Sequence, residues 1–174
     1  MENKKYRPNW DEYFMSLAFL VSSRSRDENT KHGSVLVDSN NLIIGTGYNS
    51  WIKGIDDSLI PTTRPEKYSY VIHSEINSIL NAKISPREAG GARIYVTGQV
   101  CNNCFQQLYQ AGVNHIIMAR RKGTALESEE TKKQFDFLVK QTKVKVEYLE
   151  VENLLKLNNV FLDCVGAISD IGKL

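Results

Sequence analysis

The sequence predicts an α/β domain, a five-stranded mixed sheet covered by helices. Two short, partly β-branched runs around a turn predict a hairpin, and after it helical and strand patterns alternate. A helix between two consecutive strands makes them parallel with a right-handed crossover, so the last two strands run parallel.

Asn9 followed by Glu12 starts the first helix, and Trp10, Phe14, Leu17, Ala18 and Val21 recur at helical spacing, so an amphipathic helix covers residues 10 to 24. Gly33 to Val37 and Leu42 to Thr46 form the hairpin, with Asp38-Ser39-Asn40-Asn41 as its turn. Residues 47 to 67 show no period and are punctuated by Gly54, Pro61 and Pro65. A loop of that length is usually functional. A helix is expected from Ser74 to Ala82, a strand from Arg93 to Val96, and a helix from Cys101 to Ala111 that Gly112 ends. His115 to Met118 reads as a strand. Ser128 to Gln141 reads as a helix with Thr131, Phe135, Leu138 and Thr142 on one face, and Val144 to Leu149 as the final strand. Residues 1 to 150 are thus expected to be one domain. Residues 151 to 174 form a mostly apolar tail without a clear period, a short helix at most, suited to packing on the domain or at a subunit interface.

At 174 residues with 41% hydrophobic side chains the chain can bury one core. Its 22 basic and 20 acidic residues leave a net charge of +2, which argues against a nucleic-acid polymer and for a small substrate. Met1 to Pro8 is polar and basic, the longest early apolar run is only Leu17 to Val21, and no stretch is suited to span a membrane. A cytoplasmic location is the expectation. Three cysteines is an odd number, and two form Cys101-x-x-Cys104, which points to metal or redox chemistry over a disulfide framework.

His73, Cys101 and Cys104 supply one imidazole and two thiolates, and Glu75 stands two positions beyond the histidine. Three protein ligands with one open position suit a catalytic zinc, whereas a structural zinc takes four. Both segments open helices, where N–H dipoles favour thiolates. Glu75 points about 200° round the helix from His73, so it suits a proton carrier better than a fourth ligand. Three other readings compete. The cysteine pair could be a thioredoxin-like redox motif, Cys164 could close the tetrahedron and make the zinc structural, or His73 could be an ordinary helical histidine. His32 and His115 suit surface or packing roles more than ligation.

His-x-Glu followed by Cys-x-x-Cys is similar to the signature of the zinc nucleobase deaminases. More specifically, most of residues 7 to 119 resembles the deoxycytidylate (dCMP) deaminase family. Arg7 to Met15 resembles the family's opening helix and Arg24-Ser25-Arg26-Asp27 the segment after it. Gly47-Tyr48-Asn49, Gly54 with Asp56-Asp57, Lys67 to His73 and Gln110-Ala111-Gly112-Val113 match further family stretches. The resemblance implies a three-layer cytidine-deaminase-like fold with helices on both faces of the sheet. It also implies hydrolytic deamination of dCMP to dUMP with release of ammonia, a zinc-activated water attacking C4 of cytosine.

By that resemblance His73, Cys101 and Cys104 hold Zn²⁺, Glu75 shuttles the proton, and Asn49 hydrogen-bonds the sugar or base. Arg24 and Arg26 are the candidates for the 5′-phosphate, with a solvated helix end as the plainer role for either. Tyr70 packs near the base or fills core. The resemblance further implies a homo-oligomer, dimer to hexamer, with dCTP and dTTP as effectors. Two departures bear on this: Ser50-Trp51-Ile52 replaces the family's Gly-x-Pro, and Val100, after Gly98-Gln99, replaces the proline before the first cysteine. They motivate a competing function, deamination of a nucleoside, base or tRNA adenosine; a non-catalytic nucleotide-binding scaffold with structural zinc is a third reading from another class.

Overall fold

Asn9 begins the first helix by a full capping box, its side chain accepting the Glu12 N–H while the Glu12 carboxylate accepts the Asn9 N–H. That helix, α1, runs Trp10–Ser22 in a computed structural model that describes residues 6–120, 128–151 and 154. The hairpin follows as β1 (Gly33–Asp38) and β2 (Ile43–Tyr48), with the Asp38 carboxylate accepting the Asn40 and Leu42 N–H groups in the turn. The long segment after β2 holds only two 3₁₀ turns, Asp57–Leu59 and Glu66–Ser69. A single antiparallel bridge between Ser50 and Ile72 ties its two ends together.

Then come α2 (Ser74–Leu80), β3 (Ala92–Val96), α3 (Asn102–Ala111), β4 (Val113–Arg120), α4 (Glu129–Thr142) and β5 (Lys145–Glu150). Gly112, at φ 100°, turns the chain out of α3 in the left-handed conformation that a side chain would strain. The five strands lie in the order β2-β1-β3-β4-β5, with β1 antiparallel to both neighbours and β3, β4 and β5 mutually parallel. The expected mixed sheet and its parallel last strands are both present.

Alternation along the strands divides the core between two faces. Leu36, Ile94, Val96, Ile116 and Met118 point to the face that carries Phe105 and Leu108 of α3, Phe135 of α4 and Ile76 and Ile79 of α2. Val35, Val37, Tyr95, Ile117 and Ala119 point the other way, onto Phe14, Met15 and Ala18 of α1. Helices therefore cover both faces in three layers. Leu149, Val151 and Leu154 join the α1 side. The rest of the apolar tail, including Cys164, lies outside the described residues.

Gly47 sets how closely α2 approaches the sheet. A Cβ there would stand 2.2 Å from the Ser74 carbonyl oxygen and 2.3 Å from the Ser78 nitrogen, both backbone atoms that cannot swing away. Asn77 reinforces the contact by donating to the Tyr48 carbonyl at 2.8 Å. The start of α2 is thereby fixed against β2.

Candidate active site

His73 is the N-cap of α2 and Cys101 the N-cap of α3, so two helix beginnings on the same face of the sheet present the candidate ligands. His73 Nδ1 stands 3.6 Å from Cys101 Sγ and 3.3 Å from Cys104 Sγ. Cys104 N–H donates to Cys101 Sγ at 3.4 Å, the capping bond that turns the first sulfur toward the helix. The three donor atoms lie within 4.8 Å of one another, and among the described residues no other His, Cys, Asp or Glu joins the group.

The Cys104 thiol hydrogen bond, the His73 ring and the helix-start N–H pull Cys101 down to about 4, against the burial that opposes it, while the same pairing and burial push Cys104 up. His73 is raised, first by its hydrogen bond to Cys101. Such a set, two sulfurs and an imidazole nitrogen within 4.8 Å of one another, fits a divalent zinc, whose charge would satisfy both sulfurs as thiolates.

Glu75 is 4% exposed, and its Oε2 accepts the Ser74 hydroxyl at 2.7 Å. Burial raises its carboxyl above the ordinary range. Ser74 is itself anchored, its carbonyl accepting the β1 Ser34 hydroxyl at 2.8 Å, so the carboxylate is mounted on the sheet through α2.

A cavity of ≈ 170 Å³ opens beside these residues, lined by His73, Ser74 and Glu75 and by Asn49, His32, Thr30, Asp27, Lys67, Arg64, Tyr68 and Gln99 among others. Asn49 is buried. Its Oδ1 accepts the His32 N–H at 2.7 Å and its Nδ2 donates to the Thr30 carbonyl at 2.8 Å, so it braces the segment before β1 and keeps one N–H and one lone pair for a ligand. Arg24 and Arg26 do not line this cavity. Arg24 is exposed past the end of α1, and Arg26 pairs with Asp57 beside a second cavity. Tyr70 is 47% exposed and outside the lining as well.

Several lining residues were not singled out from the sequence. His32, expected at the surface or in packing, is in the wall, its ring against Gly98, where a Cβ would come within 2.2 Å of the imidazole Cε1. Asp27 and Lys67 form an ion pair at 2.7 Å with both side chains buried. The two belong to family-like segments, which was the available signal; Arg64 lies in the aperiodic loop and gave none.

The sequence model of the cytidine and deoxycytidylate deaminase zinc-binding region matches residues 8–120. The chain belongs to this family. It is 38% identical over 119 residues to the deoxycytidylate deaminase of Homo sapiens, covering 65% of this chain and 66% of the human protein. With the deoxycytidylate deaminase of Mus musculus it shares 38% identity over 128 residues, 70% of each chain. The chain thus spans about two thirds of the length of these relatives. The crystal structure of dCMP deaminase from the cyanophage S-TIM5 in complex with dCMP and dUMP superposes with a TM-score of 0.61 at 23% identity, over 83% of this chain and 99% of that one. That likeness establishes a deaminase fold. Zinc is the cofactor of the family region that residues 8–120 match.

Proposed function

We propose that this protein hydrolyses dCMP to dUMP and ammonia, with zinc held by His73, Cys101 and Cys104 and with Glu75 as the proton carrier. What carries the reading is the meeting of His73 Nδ1 with both sulfurs, at 3.3 and 3.6 Å, on a cavity whose wall includes the buried Glu75. Identity to the human and mouse deoxycytidylate deaminases supports the choice of base and nucleotide. When bound, zinc supplies Lewis acidity that brings the pKa of water toward roughly 7.

Glu75 performs the proton transfers. Its carboxylate takes a proton from the attacking water, gives it to N3 of the cytosine ring, and then relays the second water proton to the leaving amine as the C4–N bond breaks. Burial raises this carboxyl, which makes it a stronger base than an exposed glutamate and suits it to proton transfer. Asn49 offers its remaining amide N–H and lone pair to the sugar or base, while its other contacts keep the wall in place. Residues 1 to 150 act as the catalytic domain, with the tail from 151 as an accessory. A reducing cytoplasmic setting suits the reading, since a zinc-binding thiolate pair must not be oxidised.

Homo-oligomerisation and regulation by dCTP and dTTP complete the proposal. Ser50, Trp51 and Ile52 line a separate cavity of ≈ 620 Å³ with Arg26, Lys53 and Asp57, a space large enough for an effector. One experiment tests metal, substrate and regulation together. Zinc is quantified in purified protein, and ammonia release is measured from dCMP, dCTP, CMP, cytidine and deoxycytidine, each with and without dCTP and dTTP. The expected result is stoichiometric zinc and preference for dCMP. Equal or faster turnover of deoxycytidine overturns the substrate, and zinc without turnover of any substrate overturns the enzyme.

A further inference from the structure

We propose that Arg64 selects the phosphorylated substrate, its guanidinium binding the 5′-phosphate at the rim of the cavity while Thr30 and Tyr68 hold it in position. The inference rests on the dCMP reading above, and it assigns the anion to a residue that neither sequence pattern nor resemblance singled out.

Charge bookkeeping around the cavity leads to Arg64. The lining contains two permanent cations, Lys67 and Arg64. Lys67 is 2% exposed and already neutralised by Asp27 at 2.7 Å, so neither member of that pair offers or repels net charge. Arg64 differs. Its Nη2 donates to the Thr30 hydroxyl at 2.9 Å and its guanidinium carbon lies 5.8 Å from the centre of the Tyr68 ring. Both partners are neutral, and among the described residues no carboxylate pairs with Arg64. Its full positive charge therefore faces the cavity and solvent. Arg26, by contrast, is paired with Asp57 at the other cavity.

The chemistry fits a phosphate monoester. A guanidinium stays charged at any working pH and offers parallel N–H groups to two oxygens, and the Thr30 bond uses only part of that donor capacity. Position favours the same end of the substrate. Thr30 is bonded through its carbonyl to Asn49, which faces the same cavity as Glu75 and His73, so a nucleotide with its base at the metal-ligating residues would extend toward the Thr30 and Arg64 rim. Because the phosphate is remote from C4, the contact is the same in ground and transition states. Its loss appears in KM and spares kcat.

The test is steady-state kinetics of the zinc-loaded wild type, Arg64→Gln and Arg64→Lys on dCMP and on deoxycytidine, with calorimetric binding of dUMP to each. Arg64→Gln is expected to raise KM for dCMP by roughly 10- to 100-fold, as for lost charge-assisted hydrogen bonds, with kcat changed less than about twofold. Affinity for dUMP should fall by the same factor, kcat/KM for deoxycytidine should hold, and Arg64→Lys should fall between. An unchanged KM for dCMP, or an equal loss on deoxycytidine, overturns the assignment. The two levels separate at the wild type: preference for deoxycytidine there sinks the dCMP reading, whereas preference for dCMP that survives in Arg64→Gln sinks Arg64 alone.

Discussion

Glu75 differs from the three residues around it in what its removal should do. In its proposed role of proton carrier and not ligand, it can be lost without releasing the metal. Glu75→Gln is expected to cut turnover by about 10²- to 10⁴-fold with zinc content unchanged, read by ammonia release and metal analysis on the same sample. A variant at near-normal rate rejects the role. Cys101→Ala should lose zinc instead, since it removes a sulfur and the N-cap of α3 together. The meeting of His73, Cys101 and Cys104 was legible in the sequence because residue type and short spacing within each segment suffice: a histidine and two cysteines at the beginnings of helices have few other uses. Arg64 and His32 were not, because what places them is a partner far along the chain. Thr30 is 34 positions from the arginine it holds, and Gly98 makes room for the imidazole from just past the end of β3, the strand paired with β1 beside His32.

The segment between β2 and α2 shows the same limit for an element. Absence of period marked it as a loop, and its functional character followed from length alone. Its internal anchor did not, because a buried lysine in a polar stretch carries no pattern. The Asp27–Lys67 pair fastens this segment to the stretch after α1, so Asp27→Asn should leave an uncompensated ammonium indoors and cost about 3–5 kcal/mol in urea unfolding. Asp27→Asn/Lys67→Met should recover much of that loss. Burial acts to raise the Asp27 carboxyl, but the Lys67 hydrogen bond and the Asn29 and Thr30 N–H groups outweigh it and hold the group below its ordinary 3.8. The contribution to stability is then complete above pH 3.8. It drains away below that value as the unfolded chain takes up its proton first, and it is gone once the folded carboxyl protonates. Unfolding curves against pH should show that acid loss in the wild type and a smaller one in Asp27→Asn. Gly47 anchors the other side: Gly47→Ala would drive a methyl into the backbone of α2, and a cost of about 1–3 kcal/mol together with weaker zinc retention is expected in melting and chelator competition.

Across the whole molecule the element order was readable because hydrophobic period switches cleanly between strand and helix, and each strand–helix–strand run dictates a parallel neighbour. Strand order β2-β1-β3-β4-β5 was not written in any local pattern, since it depends on which edge each crossover chooses. The two faces of the sheet have separate apolar clusters; Cys104 and Cys101 belong to the α3 side, but aliphatic and aromatic side chains make up nearly all of both. Chelation should therefore lower the melting temperature, because a ligand of the native state is withdrawn, yet leave far-ultraviolet circular dichroism near that of the loaded protein. An apo chain without helical signal would contradict this. The Ser50–Ile72 bridge has its own consequence at this scale. Its paired bonds, Ser50 N to Ile72 O at 3.1 Å and Ile72 N to Ser50 O at 2.8 Å, pinch the intervening stretch shut at its base like a drawstring. Residues 51 to 71 thus make a pouch with two walls: changes within residues 51 to 57 reshape the second cavity alone, whereas the return limb carrying Arg64, Lys67 and Tyr68 also walls the cavity beside His73 and Glu75.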